Sequence, residues 1–169
     1  MEDKVKALSP ELLEFYDRTV KVAKEKSVHI ASNTVGQADE LWFQERFIRI
    51  TGSKCYSLFT YSKNKKPDCN KKLETIFKSS FSGTDATMHG LMSEPLAREA
   101  YEYQENVKVV CNGLFVHPDL PFLGFSADGI ILNETDPVKL LEIKCPVIGK
   151  THPAAELFSE VKFCESRKL

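Results

Sequence analysis

The sequence predicts a mixed α/β domain, a helical first half followed by a small β-sheet. Three observations predict it. Apolar residues recur at helical spacing in Pro10–Lys26, Gly36–Ile50 and Asp85–Glu105. From 107 to 145, β-branched residues cluster between turn signals, Asn112-Gly113 and the NETDP run at 133–137. At 169 residues the chain is long enough for one domain with a real hydrophobic core.

In the first segment, Leu12, Leu13, Tyr16, Val20 and Ala23 lie at helical spacing, with Ser9 and Pro10 placed as cap and first turn. It reads as a packing helix without chemistry, and residues 1–33 are set apart as a helical extension. The second helix carries Trp42, Phe43 and Phe47 as its apolar stripe. Thr51-Gly52-Ser53-Lys54 then breaks the pattern and starts a third helical piece, Lys54–Phe59. A small hydroxyl-bearing turn that opens a helix suits a phosphate. On spacing alone, a plain helix cap by Thr51 or Ser53 comes first.

Residues 61–72 (YSKNKKPDCNKK) read as a lysine-rich loop, followed by a short helix over Leu73–Phe81. Asp85–Glu105 reads as a helix with a restart or kink near Glu94, because Pro95 follows it. Glu94 and Arg98 lie at i and i+4, ordinarily a surface ion pair. Val107–Val116 reads as a hairpin around Asn112-Gly113, and His117–Pro121 as a loop. Strand follows over Leu123–Leu132 and Val138–Cys145, with Pro146 ending the second. A final helix is expected over Ala154–Cys164.

Composition excludes several classes. The chain is 42% hydrophobic and 28% charged. No apolar run is long enough to span a membrane. The N-terminus lacks the apolar stretch of a secretory leader, so an intracellular location is expected. The five cysteines are scattered without a Cys-x-x-Cys pair, which suits free thiols in a reducing compartment. A zinc site from Cys111, Cys145 and a histidine stays open, although no spacing asks for it. Net charge is -1, but it is unevenly spread. Residues 44–80 hold nine Lys/Arg against three Asp/Glu, and residues 85–142 hold three against ten. A basic half beside an acidic half suits a polyanion on one side and a cation on the other. Solvated faces that merely differ fit the same numbers.

Glu142 and Lys144 project from one face of the last strand, while Leu141, Ile143 and Cys145 face the core. Asp128, on the preceding strand, can lie across from them. Two crowded carboxylates call for a cation between them. Lys144 supplies one charge, and a hard divalent ion on Asp128, Glu142 and the Ile143 carbonyl would supply more. Such a site suits phosphodiester hydrolysis, with Lys144 handling the attacking water and Glu94 as a third carboxylate. Taken singly, Asp-Gly is a common turn and Glu-Ile-Lys a common edge strand.

Five blocks occur in order: Trp42-x3-Arg46, Arg49-Ile50-Thr51-Gly52-Ser53-Lys54, Gly90-x3-Glu94-x2-Ala97, Ser126-Ala127-Asp128-Gly129 and Leu141-Glu142-Ile143-Lys144-Cys145-Pro146. Over roughly Thr34 to Pro146 this series resembles the YqaJ-type viral recombinase family, which includes the phage lambda-type exonuclease and belongs to the PD-(D/E)XK nucleases. The resemblance implies a restriction-endonuclease-like core over residues 34–169, a small mixed sheet flanked by helices. It implies Glu94, Asp128 and Glu142 as metal-binding carboxylates for Mg²⁺, with Mn²⁺ a substitute, and Lys144 as the catalytic lysine. Arg46 and Ser53, with Thr51 and Lys54 beside them, match the grip on a 5′ phosphate, which now outranks a mere cap. The implied activity is degradation of linear duplex DNA from the 5′ end in recombination or repair. The lambda-type enzyme is a ring-shaped trimer, an assembly that motifs do not define.

Two departures stand out. Ala127 replaces the proline usual before the aspartate. The family continues well past the Glu-x-Lys strand with a glutamine-bearing helix and further strands, whereas this chain stops at Leu169 with no glutamine after His152. The domain is therefore expected to be shortened at its C-terminus. The alternative function is a catalytically impaired DNA-end-binding or regulatory module of the same fold. The ordered blocks argue against a third reading, an unrelated interaction domain.

Overall fold

The computed structural model describes residues 5, 8–78, 83–153 and 156. Six helices and six short strands form a mixed α/β structure among them, as the sequence predicts. The helices are α1 (Pro10–Phe15), α2 (Lys24–Asn33), α3 (Glu40–Phe47), α4 (Gly52–Ser62), α5 (Cys69–Lys78) and α6 (Asp85–Glu105). The strands are β1 (Ile50–Thr51), β2 (Val109–Val110), β3 (Phe115–His117), β4 (Leu120–Phe125), β5 (Gly129–Asn133) and β6 (Asp136–Leu141). They make two three-stranded sheets, ordered β1-β4-β3 and β2-β5-β6. β1 runs parallel to β4, and the other pairings are antiparallel.

The helix expected over Pro10–Lys26 is broken. Ser9 caps α1, a wide turn covers Tyr16–Val20, and the chain is extended at Lys21. The reason is burial: Val20 and Val22 are both buried, and residues two apart share a face only in extended chain. α2 then buries Ser27 and Ile30 one turn apart, followed by Thr34. Ile30 and Val22 join Leu114 and Val116 in the core, with Trp42 packed against them. Part of the segment set apart from sequence as an extension thus builds the core of the domain.

Asn112-Gly113 does not turn a hairpin. β2 and β3 on either side of it enter different sheets. Gly113 is needed for close approach: a Cβ there would meet Thr34 Oγ1 at 2.2 Å. Thr34 Oγ1 donates to the Ile30 carbonyl at 2.7 Å and accepts from Leu114 N at 2.8 Å, fixing the crossing against α2. The loop expected over His117–Pro121 shrinks to a tight turn at Pro118-Asp119 between β3 and β4.

The strand expected over Leu123–Leu132 is two strands, one in each sheet. Residues 126–128 link them, and each is tied down. Ser126 accepts from Trp42, the Ala127 carbonyl accepts from Gln37 at 2.9 Å, and Asp128 bonds ahead to Ile143. α6 spans Asp85–Glu105 as expected, but it runs through Pro95 without restarting. A Thr84–Thr87 capping box opens it, and Asn106 in the left-handed region closes it. α5 begins at Cys69, so the lysine-rich loop is only residues 63–68. The end of the helix expected over Leu73–Phe81 lies outside the described residues, as does the final helix at 154–164 apart from Glu156.

Arg49 is buried at 2% exposure. It donates to the carbonyls of Val20 at 3.3 Å and Pro121 at 2.9 Å and pairs with Glu45. One guanidinium thereby joins the N-terminal segment, α3 and β4.

Candidate active site

The β5–β6 hairpin builds the first half of the site. Gly129 pairs with Leu141 at its open end, where the ladder stops. Glu142–Pro146 is not strand, so the expected strand ends four residues early. The cause is local. β5 begins only at Gly129, and the Asp128 side chain then takes over from backbone carbonyls: its Oδ2 accepts from Ile143 N at 2.6 Å. Asp128 N also donates to the Leu141 carbonyl at 3.1 Å. The expected alternation survives beyond the strand. Glu142 and Lys144 are exposed, while Leu141, Ile143 and Cys145 are half-buried.

Glu142 and Lys144 form an ion pair with each other, with side chains 55% and 63% exposed. Glu94 comes from α6, which packs on a short turn at Val147–Lys150. It pairs with Arg98 at 2.8 Å. Burial pushes the Cys145 thiol up, and the charges of Glu94 and Asp128 push it further. Carboxylates from two distant parts of the chain therefore act on one thiol.

Glu142 does not join them. Among the described residues, no three His, Cys, Asp or Glu gather closely enough to hold a metal ion. The expected set of Glu94, Asp128 and Glu142 is not assembled, because the Glu142 carboxylate is turned to Lys144. The same finding removes the zinc set of Cys111, Cys145 and a histidine; Cys55, Cys69, Cys111 and Cys145 are free thiols. The Glu94 and Asp128 carboxylates offer hard anionic oxygens, a donor chemistry that fits Mg²⁺ or Mn²⁺ and not a soft metal.

The second half lies at the start of α4. Thr51 is buried, and its hydroxyl meets that of Ser53 at 3.1 Å. Thr51 occupies the N-cap position without a side-chain cap bond. Lys54 Nζ donates to the carbonyls of Arg46 at 3.2 Å and Arg49 at 3.3 Å, locking α4 to the end of α3. The Arg46 guanidinium lies 4.2 Å from the centre of the Trp42 ring. Burial lowers the Lys54 pKa, and the nearby Arg46 charge lowers it further. Arg46, Ser53, Thr51 and Lys54 are thus brought together beside a helix N-terminus.

One side chain joins the halves. Trp42 carries Arg46 on its ring and donates from Nε1 to Ser126 Oγ at 3.2 Å, two residues before Asp128. From sequence, Trp42 has a place in an apolar stripe and in the Trp42-x3-Arg46 block, but not the bond to Ser126. Sequence reasoning also missed the buried Arg49 and the second contact of Arg98, from Nη1 to Cys111 Sγ at 2.6 Å. No local signal predicts contacts this distant, although the i, i+4 spacing of Glu94 and Arg98 was visible.

The fold and these two clusters define a mixed α/β domain of the alkaline exonuclease fold. The profile of the YqaJ-like viral recombinase domain matches residues 41–161, and the chain belongs to that family. The alkaline exonuclease LHK-Exo from Laribacter hongkongensis has a similar structure, with a TM-score of 0.50 and 26% identity over 72% of this chain. The chain spans 64% of that enzyme's length. A structure of LHK-Exo in complex with dAMP aligns at a TM-score of 0.49, with 25% identity over 72% of this chain and 65% of that one. None of the curated proteins matches. No helix among the described residues is long and apolar enough to cross a membrane.

Proposed function

We propose that this chain is a divalent-metal-dependent DNA exonuclease domain that degrades linear duplex DNA from a 5′-phosphorylated end, in recombination or repair. The observation that carries the reading is that the Asp128 and Glu94 charges both act on Cys145, while Trp42 links Ser126, two residues before Asp128, to a cationic cluster at a helix N-terminus. The family and the alkaline exonuclease neighbour support the same reading.

In this reading Glu94, Asp128 and the Ile143 carbonyl would hold Mg²⁺, with Glu142 as a further ligand if it left Lys144. When bound, such an ion would supply Lewis acidity at the phosphate and lower the pKa of a nearby water. Released from Glu142, the Lys144 ammonium would hold the attacking water by a hydrogen bond and meet charge growing on the phosphoryl oxygens. Arg46, Lys54 and the hydroxyls of Thr51 and Ser53 grip the terminal phosphate, which sets where the strand enters. Backbone contacts of this kind carry no direct sequence information, so no sequence preference is expected.

The pairing of Glu142 with Lys144 favours a second reading, an end-binding module impaired in catalysis. One experiment decides. Linear duplex with 5′ phosphates is incubated with and without Mg²⁺, beside Lys144→Ala and Asp128→Asn. Metal-dependent loss of nucleotides from the 5′ strand, abolished in both variants, supports the enzyme. Salt-sensitive binding without cleavage supports the module. Equal product from the variants rejects the site.

A further inference from the structure

Glu94 and Arg98 lie one turn apart on α6. As an exposed helix pair they would contribute only ~0.2–0.5 kcal/mol. Three features set them apart. The Arg98 side chain is only 20% exposed. Its fork is divided: Nη2 donates to Glu94 Oε1 at 2.8 Å, while Nη1 reaches Cys111 Sγ at 2.6 Å. Its Nε is buried without a partner.

The divided fork has two consequences. A guanidinium facing a carboxylate squarely would bond both oxygens. Here only Oε1 is taken, and no hydrogen bond reaches Oε2 among the described residues. The second consequence is a tether. Cys111 directly follows β2, β2 pairs with β5, and β5 starts one residue after Asp128. The contacts Glu94–Arg98–Cys111 therefore connect α6 to the sheet that carries Asp128. A planar group held at two points fixes the direction of the carboxylate, which a flexible ammonium does not do.

We infer that Arg98 is a positioning residue. It holds Glu94 by Oε1 and leaves Oε2 to serve, with Asp128, as a ligand for a divalent cation. The inference rests on the metal-site reading above. It adds that the set depends on a cation that touches neither metal nor DNA. Partners behind a metal ligand typically change affinity by about 10–100-fold.

The test uses the full chain without DNA. Mn²⁺ is titrated calorimetrically into wild type, Arg98→Met, Arg98→Lys, Glu94→Gln and Asp128→Asn, with circular dichroism and thermal melting as fold checks. The expected result is a loss of Mn²⁺ affinity in Arg98→Met of about 10-fold or more. A smaller loss is expected in Arg98→Lys, which keeps the charge near Glu94 but not the fork. Arg98→Met that melts earlier yet binds Mn²⁺ like wild type overturns the inference, since the pair would then be structural only. Tighter binding in Arg98→Met also overturns it, because Arg98 would then compete with the ion. Wild-type binding that is lost in Asp128→Asn but indifferent to Arg98 leaves the metal site standing and rejects only Arg98. No Mn²⁺ binding to wild type rejects both.

Discussion

Oδ2 of Asp128 accepts a hydrogen bond from the backbone N–H of Ile143, at 2.6 Å across the open end of the β5–β6 hairpin. A side chain thus continues a ladder that the backbone has stopped making. Asp128→Ala leaves that half-buried N–H unpaired and is expected to cost ~1–3 kcal/mol. For a chain of this size that lowers the melting temperature by roughly 2–4 °C per kcal/mol. Asp128→Asn keeps an acceptor oxygen and should lose less. Equal melting of the two variants would show that the bond does not hold the hairpin end.

Trp42 and Ser126 are expected to be coupled. Trp42→Phe removes the indole donor and keeps a ring under Arg46; Ser126→Ala removes the acceptor. A double-mutant cycle by urea unfolding should give a coupling of about 0.5–1.5 kcal/mol. Strict additivity would deny the link between the two halves of the site.

Arg49 gives a third expectation. Arg49→Met strips the charge from a pair whose other member, Glu45, is itself only 12% exposed. The expected cost is ~3–5 kcal/mol, because an uncompensated carboxylate stays behind. Arg49→Met combined with Glu45→Met should recover much of that loss. A double variant no more stable than Arg49→Met would mean that the stranded Glu45 carboxylate is not the source of the loss.

On the proposed function, Lys54 is expected to set a pH limit on end binding. Its pKa lies below the ordinary 10.5, through burial first and Arg46 second. The ammonium charge is complete below the folded value and lost as pH rises through it, before 10.5 is reached. Affinity for a 5′-phosphorylated duplex in EDTA, followed by fluorescence anisotropy, should fall in that window. Lys54→Arg should hold its affinity through it. Stability moves in the opposite sense: the unfolded chain keeps its proton longer, so folding gains as pH rises through the window. An affinity profile identical in wild type and Lys54→Arg would remove Lys54 from the grip.

Much of the fold was legible where local chemistry decides. α6 keeps the bounds expected from sequence, because one long periodic stretch runs from Asp85 to Glu105. The β5–β6 hairpin was also legible, since its turn residues are short and polar. The errors occur where a distant partner wins. Asn112-Gly113 looked like a hairpin turn until Thr34 came to lie against it. Leu123–Leu132 looked like one strand until Trp42, Gln37 and Ile143 pinned residues 126–128.

By itself the sequence determined the family, the helix-then-sheet order and the residue types at each site position, because motif order and periodicity are written along one dimension. The tertiary structure decided which of those residues meet. It brought the charges of Glu94 and Asp128 to bear on Cys145, turned Glu142 to Lys144, and joined the two clusters through Trp42. Charges and hydrogen bonds act through space over a few ångströms, and the chain's linear order does not fix those distances.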